Sequence, residues 1–187
     1  MTTHWTLLDY GEVISLPQQA GDIAAMAALA GQDDETFRDR YWRHRLPYDR
    51  GQADHLYWGE VLGRALAPDD PLVGELVTAD VASWSRIDPA ALRTIEEHVA
   101  RGDRLALLSN APEPLAAAVD RASWAAAFSH RFYSCRLSLT KPDPAIYETV
   151  LRLLQAEPAN VVFHDDRAEN VEAARALGIN AVLHRAR

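Results

Sequence analysis

A single cysteine, Cys135, in a chain of 187 residues excludes an internal disulfide framework. Basic charge is scarce too: 19 Lys and Arg stand against 27 Asp and Glu, a formal net charge of −8. Nucleic acid and anionic membrane select for a clustered excess of Lys and Arg, so neither is expected as a partner. No apolar run approaches the length needed to span a bilayer, and there are no repeats or low-complexity segments. The opening MTTHWTLLD lacks the basic and long apolar regions of a secretory signal, which makes the cytoplasm the expected compartment. What is present is 48% hydrophobic and 25% charged, enough for a packed core in one domain or in one domain with a modest insert.

Short apolar runs suited to strands occur at Trp5 to Leu8, Arg104 to Leu108, Phe132 to Cys135, Val161 to Phe163 and Ile179 to Leu183. Helical patterns separate them. Asp88-Pro89 and Asp143-Pro144 each offer a capping acid and a first-turn proline, while Gly102 and Gly178 stop helices just before a strand. Such alternation predicts an α/β fold, a Rossmann-like parallel sheet with helices on both faces and ligands at the carboxyl ends of the strands.

From about Pro17 to Ser83 no strand pattern appears. Tyr57, Val61, Leu62 and Ala65, and then Leu72, Val73, Leu76, Val77 and Val81, follow helical spacing. The expected organisation is a core of residues 1–16 and 84–187 with an all-helical insert over 17–83. Most of the insert's aromatics (Phe37, Tyr41, Trp42, Tyr48, Tyr57, Trp58) are expected to form its own small core.

Polar residues follow each of the first four strands: Asp9, then Ser109-Asn110, then Lys141-Pro142 after a short connection, then Asp165-Asp166. Singly these read as turns, caps or solvated groups. In a parallel sheet, however, all four converge on one edge. Three carboxylates gathered there repel one another and are best tolerated around a cation, and an all-oxygen set with room for water and phosphate favours Mg²⁺. Lys141 can balance the acids and an incoming phosphate, and the Ser109 hydroxyl with nearby backbone amides can bind phosphate oxygens. Asp9, on the first strand, is the natural nucleophile.

The segments LLDYGEVIS, LALLSNAP, SLTKPDPAIY and VVFHDDRAENVEAARALGI resemble the four motifs of the haloacid dehalogenase-like hydrolases, in the subgroup with a helical cap inserted after the first motif. The resemblance implies that Asp9 attacks phosphorus in line and that water hydrolyses the resulting aspartyl-phosphate. It implies Mg²⁺ held by the Asp9 carboxylate, the Gly11 carbonyl and Asp166, with Asp165 acting through water or Lys141. Asn170 would orient a water at the metal, Ser109 and Asn110 would fix the phosphoryl group, and Lys141 would neutralise it. The implied substrate is a small phosphorylated metabolite, with a sugar phosphate foremost; the oligomeric state is not legible.

Gly11 departs from the pattern. Phosphatases of this family usually carry there a second Asp that protonates the leaving oxygen and later activates water, a role worth roughly 10²–10⁴-fold in rate. Three readings follow: a leaving group that needs little help, a substitute acid, or a protein that binds phosphate with little turnover and serves regulation. Some sugar-phosphate phosphatases of the subgroup resemble this chain in having Gly at that position. Glu12 is the adjacent substitute, and the insert's YWRHRLPYDRG brings His44, Arg45 and Asp49 as candidate contacts to substrate. A metal-independent 2-haloacid dehalogenase is the weaker alternative, since Asp165-Asp166 argues for a cation. Cys135 is expected to pack against the sheet.

Overall fold

The computed structural model describes residues 4–185; the first three and last two residues, which the expected core boundaries include, lie outside the described ones. In chain order the elements are β1 (Trp5–Leu8), α1 (Ala20–Ala30), α2 (Asp34–Arg43), α3 (Arg45–Asp49), α4 (Asp54–Leu62) and α5 (Pro71–Trp84). There follow α6 (Pro89–Arg101), β2 (Arg104–Ser109), α7 (Glu113–Arg121), β3 (His130–Tyr133) and α8 (Ser134–Leu137). The chain closes with α9 (Pro144–Leu154), β4 (Val161–Asp165), α10 (Ala168–Ala176) and β5 (Asn180–Leu183).

The five strands form one parallel sheet in the order β3-β2-β1-β4-β5, which confirms the α/β expectation and puts β1 at the centre. Alternation along the strands supplies both faces. Leu7, Ala106, Leu108 and Phe163 point into one apolar layer, built with Ile146, Tyr147 and Val150 of α9 and Val171 and Ala174 of α10. Leu8, Leu105 and Leu107 point into the other, with Ile95 of α6 and Leu115 and Val119 of α7. Aspartates set the helix starts. Asp70, Asp88 and Asp143 each precede a proline and accept a hydrogen bond from the backbone two residues on, satisfying a donor that the first turn leaves unpaired.

Helices α1 to α5 share a separate core, in which Phe37, Tyr41, Tyr48, Tyr57 and Trp58 are buried around Met26 and Leu76. Trp42 departs from the expectation: it is 49% exposed, with its ring edge-on to Trp84. The chain segments leading into and out of these helices pair, Ser15 bridging to Ile87, so the exit and return lie side by side next to β1.

The third strand also differs from the run read in the sequence. It begins at His130 and stops at Tyr133, because its partner β2 ends at Ser109 and the ladder has nothing further to pair with. Cys135 therefore lies in α8, half-buried beside Glu113, and burial pushes its thiol up to about 12.

Candidate active site

Central β1 delivers Asp9 to the carboxyl edge of the sheet, where its amide donates to the His164 carbonyl at 2.9 Å and continues the pairing with β4. One carboxylate oxygen, Oδ1, accepts from the Tyr10 amide at 2.7 Å and lies 2.8 Å from Lys141 Nζ. The other, Oδ2, has no hydrogen-bond partner among the described residues. Lys141, whose side chain is 1% exposed, also donates to Asp165 Oδ2 at 2.6 Å and to the Leu108 carbonyl at 3.1 Å. The ammonium thus meets three oxygens, and the two carboxylates hold it charged, raising its pKa against the effect of burial.

The adjacent acids at the end of β4 have different surroundings. Asp165 is fully buried and both its oxygens are engaged: Oδ1 accepts from the Arg167 amide and from Asn170 Nδ2, each at 2.9 Å, and Oδ2 takes Lys141. Asp166 has no partner for its carboxylate among the described residues, and burial, with the Asp165 charge, pushes it up to about 6. Asp9 is pushed up to about 8, by burial first, with Lys141 opposing and Asp165 adding.

Across the cleft, Ser109 ends β2 with a hydroxyl that has no partner among the described residues, although the residue is 2% exposed. Asn110 does something the sequence did not suggest. Its side chain forms a reciprocal pair with the Lys141 main chain, Nδ2 to the carbonyl and Oδ1 from the amide, both at 2.9 Å. It fixes the loop that carries Lys141, and the second Nδ2 proton stays outside this pair in a residue that lines the cavity.

Asp9, Asp165 and Asp166 can each offer one carboxylate oxygen within 4.8 Å of the others. Once all three acids are ionised, they exceed the one ammonium by two negative charges, and the Gly11 carbonyl nearby accepts no hydrogen bond among the described residues. This all-oxygen set of matching charge fits a divalent cation. Asp9 Oδ2, Asp166 and the Gly11 carbonyl are the donors left free for it.

These groups open into one cavity of about 640 Å³. Of the further candidates, Glu12, Arg45 and Asp49 line it, whereas His44 does not and instead lies 3.2 Å from Glu60 on the outer surface. Arg45 is buried, with Nε 2.9 Å from Asp49 and Nη1 3.1 Å from Asp80 of α5. Residues not singled out in the sequence also line it: Tyr10, Leu46, Trp84, Leu115 and Arg167. Arg167 directly follows the Asp165-Asp166 pair and was the one with a signal, a base next to strand-end acids. Trp84 and Leu46 had none beyond helical spacing.

A family model described as haloacid dehalogenase-like hydrolase matches residues 8–178. Bifunctional epoxide hydrolase 2 of Sus scrofa is 43% identical over 58 residues, 31% of this chain and 10% of that protein. The chain thus matches about a tenth of the length of the first such relatives. A phosphatase of Mycobacterium tuberculosis is 30% identical over 127 residues, 65% of this chain and 57% of its own. Among solved structures, a HAD family enzyme from Bacteroides thetaiotaomicron, in complex with magnesium and inorganic phosphate, has a TM-score of 0.80 at 17% identity, covering 98% of this chain and 94% of that one. A 2-haloacid dehalogenase from Pseudomonas syringae has a TM-score of 0.72 at 18% identity, over 98% and 86%. At these identities the structural likeness is one of fold.

Proposed function

The chain belongs to the haloacid dehalogenase-like hydrolases, and we propose that within this family it is a Mg²⁺-dependent phosphatase for a small phosphorylated metabolite, a sugar phosphate foremost. One observation carries the reading. Lys141 holds one oxygen of Asp9 and one of Asp165, while Asp9 Oδ2, Asp166 and the Ser109 hydroxyl all face the same cavity without protein partners. That arrangement leaves a nucleophile oxygen, a metal ligand and a phosphate donor open together.

Asp9 Oδ2 attacks phosphorus, the leaving oxygen departs with a proton, and water hydrolyses the aspartyl-phosphate to free Asp9. Ser109 Oγ donates to a non-bridging phosphate oxygen, and Lys141 aims Asp9 and opposes the burial that favours its protonated form. Asp165 acts through Lys141 and Asn170, which its oxygens hold. Mg²⁺, held by Asp9, Asp166 and the Gly11 carbonyl, would neutralise phosphate charge as a Lewis acid. The magnesium and phosphate in the Bacteroides relative support the same pair of ligands here.

Residues 17–83 serve as the cap over a core of 1–16 and 84–187, and the cap's contribution to the cavity selects the substrate. From the cap, Trp42 and Leu46 give the cavity an apolar wall beside Trp84 of the core, and Arg45 and Asp49 give it an ionic one. A sugar, with a C–H face and hydrogen-bonding hydroxyls, presents both characters. The test is a panel of phosphorylated metabolites assayed for phosphate release with Mg²⁺, with EDTA, and with Asp9→Asn. Release from at least one substrate that disappears with EDTA and with the substitution is expected. Release from none, or release that survives Asp9→Asn, refutes the reading.

A further inference from the structure

Gly11 is not required by the fold. Its φ lies outside the left-handed region, and a Cβ built there would meet only Trp84 Cζ3, at an ordinary 3.8 Å. A side chain would fit at the position where a proton donor is expected, so the chemistry of that donor can be supplied from elsewhere in the cavity.

Four acids line the cavity: Asp9, Asp166, Glu12 and Asp49. The first two belong to the nucleophile and metal cluster. Glu12 is exposed and its side chain makes no hydrogen bond among the described residues, which leaves it solvated. Asp49 is different, being 8% exposed and held on three sides. Its Oδ1 accepts from Arg45 Nε at 2.9 Å, while Oδ2 has no partner among the described residues. Its main-chain carbonyl accepts from the Ser134 hydroxyl, which itself accepts from the Ala111 amide at 2.9 Å, two residues past Ser109. The next residue, Arg50, donates to Thr140 Oγ1 at 2.9 Å, beside Lys141. Asp49 is therefore tied to both loops that carry the phosphate-handling groups, although it comes from the helices between β1 and α6.

We propose that Asp49 is the general acid and base of the reaction, replacing the side chain that Gly11 lacks. This rests on the phosphatase reading above. As the bond from Asp9 Oδ2 to phosphorus forms and the bond to the leaving oxygen breaks, the Asp49 Oδ2 proton passes to that oxygen and the product departs as the neutral alcohol. The Asp49 carboxylate then takes a proton from the water that attacks the aspartyl-phosphate, Asp9 leaves phosphorus, and Asp49 is again protonated. Its surroundings suit the role: burial raises the carboxyl, Asp80 of α5 adds to this, and Arg45 on its own helix and Arg167 at the start of α10 oppose it.

The experiment measures kcat/KM, which reports the steps through leaving-group departure, across aryl phosphates of rising leaving-group pKa and acetyl phosphate, all with Mg²⁺. Wild type should show a shallow dependence on leaving-group pKa. Asp49→Asn keeps an oxygen for Arg45 Nε and should lose about 10²–10⁴-fold on the poorest leaving groups while losing less than about tenfold on acetyl phosphate. Adding Gly11→Asp to Asp49→Asn should restore the poor leaving groups, which repair of a merely structural defect would not do. A steep dependence in wild type overturns the proposal without reference to any variant's folding, and so does an equal loss on every substrate in Asp49→Asn. Both outcomes leave the phosphatase reading standing. Absence of turnover by wild type on all substrates overturns that reading and this proposal together.

Discussion

Replacing Lys141 by methionine should destabilise the metal-free protein, and more so at alkaline than at acid pH. The ammonium lies 2.8 Å from Asp9 and 2.6 Å from Asp165, with its side chain 1% exposed. Methionine keeps most of the stem but strands two carboxylates without their cation. Removing one partner of a buried ion pair costs about 3–5 kcal/mol. In a chain of this size each kcal/mol corresponds to about 2–4 °C in melting temperature, so the expected drop is about 6–20 °C. The pH dependence has a definite sign. Burial pushes Asp9 up to about 8 and Asp166 up to about 6 in the folded chain, both above the ordinary 3.8. Between pH 4 and 8 the folded state therefore binds more protons than the unfolded one, and stability is lost as pH rises through that window. Without Lys141 the opposing charge is gone, the carboxylates keep their protons to higher pH, and the loss steepens. Thermal unfolding in EDTA at pH 5 and pH 8 should show a gap between variant and wild type that widens with pH. A gap of the same size at both values would mean that lost packing of the lysine stem, and not the stranded carboxylates, accounts for the effect.

Arg45→Met should cost a comparable amount, about 3–5 kcal/mol, because it leaves Asp49 and Asp80 buried without their cation. Urea unfolding measures it, and a midpoint unchanged from wild type would show the pair to be energetically idle. Asp88→Ala removes the side chain that caps the Ala90 amide at 2.8 Å, at a residue outside the cavity lining. It should lower stability by about 1 kcal/mol, read as a melting drop of about 2–4 °C, and leave phosphate release unchanged.

Local physics made much of the architecture legible. Strand β1 has the bounds read from its apolar run, and Asp88-Pro89 and Asp143-Pro144 open α6 and α9 through caps a few residues long. The polar residues at the strand ends were legible for a related reason: once the strands are parallel, position along each strand fixes which edge a residue reaches. The rest depended on contacts distant in sequence. Nothing in YWRHRLPYDRG separates Arg45, buried against Asp80 on α5, from His44, turned outward to Glu60. Trp42 and Trp84 share a helical apolar pattern with core aromatics, and only the packing of α2 against α5 decides that Trp42 is left half-exposed at the cavity. Nor does the sequence indicate that the Asn110 side chain pairs with the Lys141 main chain, 31 residues away.

The pair Asp165-Asp166 shows how adjacent identical residues acquire different work. Successive side chains at a strand end point to opposite sides, so two neighbouring acids cannot share one environment. Asp165, still on β4, turns toward the interior, where the Arg167 amide, Asn170 and Lys141 satisfy it. Asp166, one step past the strand, faces the cavity with no such partners. A cation would thus meet Asp166 directly and feel Asp165 mainly through the lysine it holds. Asp166→Asn should therefore impair metal binding itself, whereas Asp165→Asn should first release Lys141 and, through it, the aim of Asp9. The substitution at the fully buried acid is expected to disturb stability as well as rate, and that at the half-buried one to disturb chiefly the response to Mg²⁺.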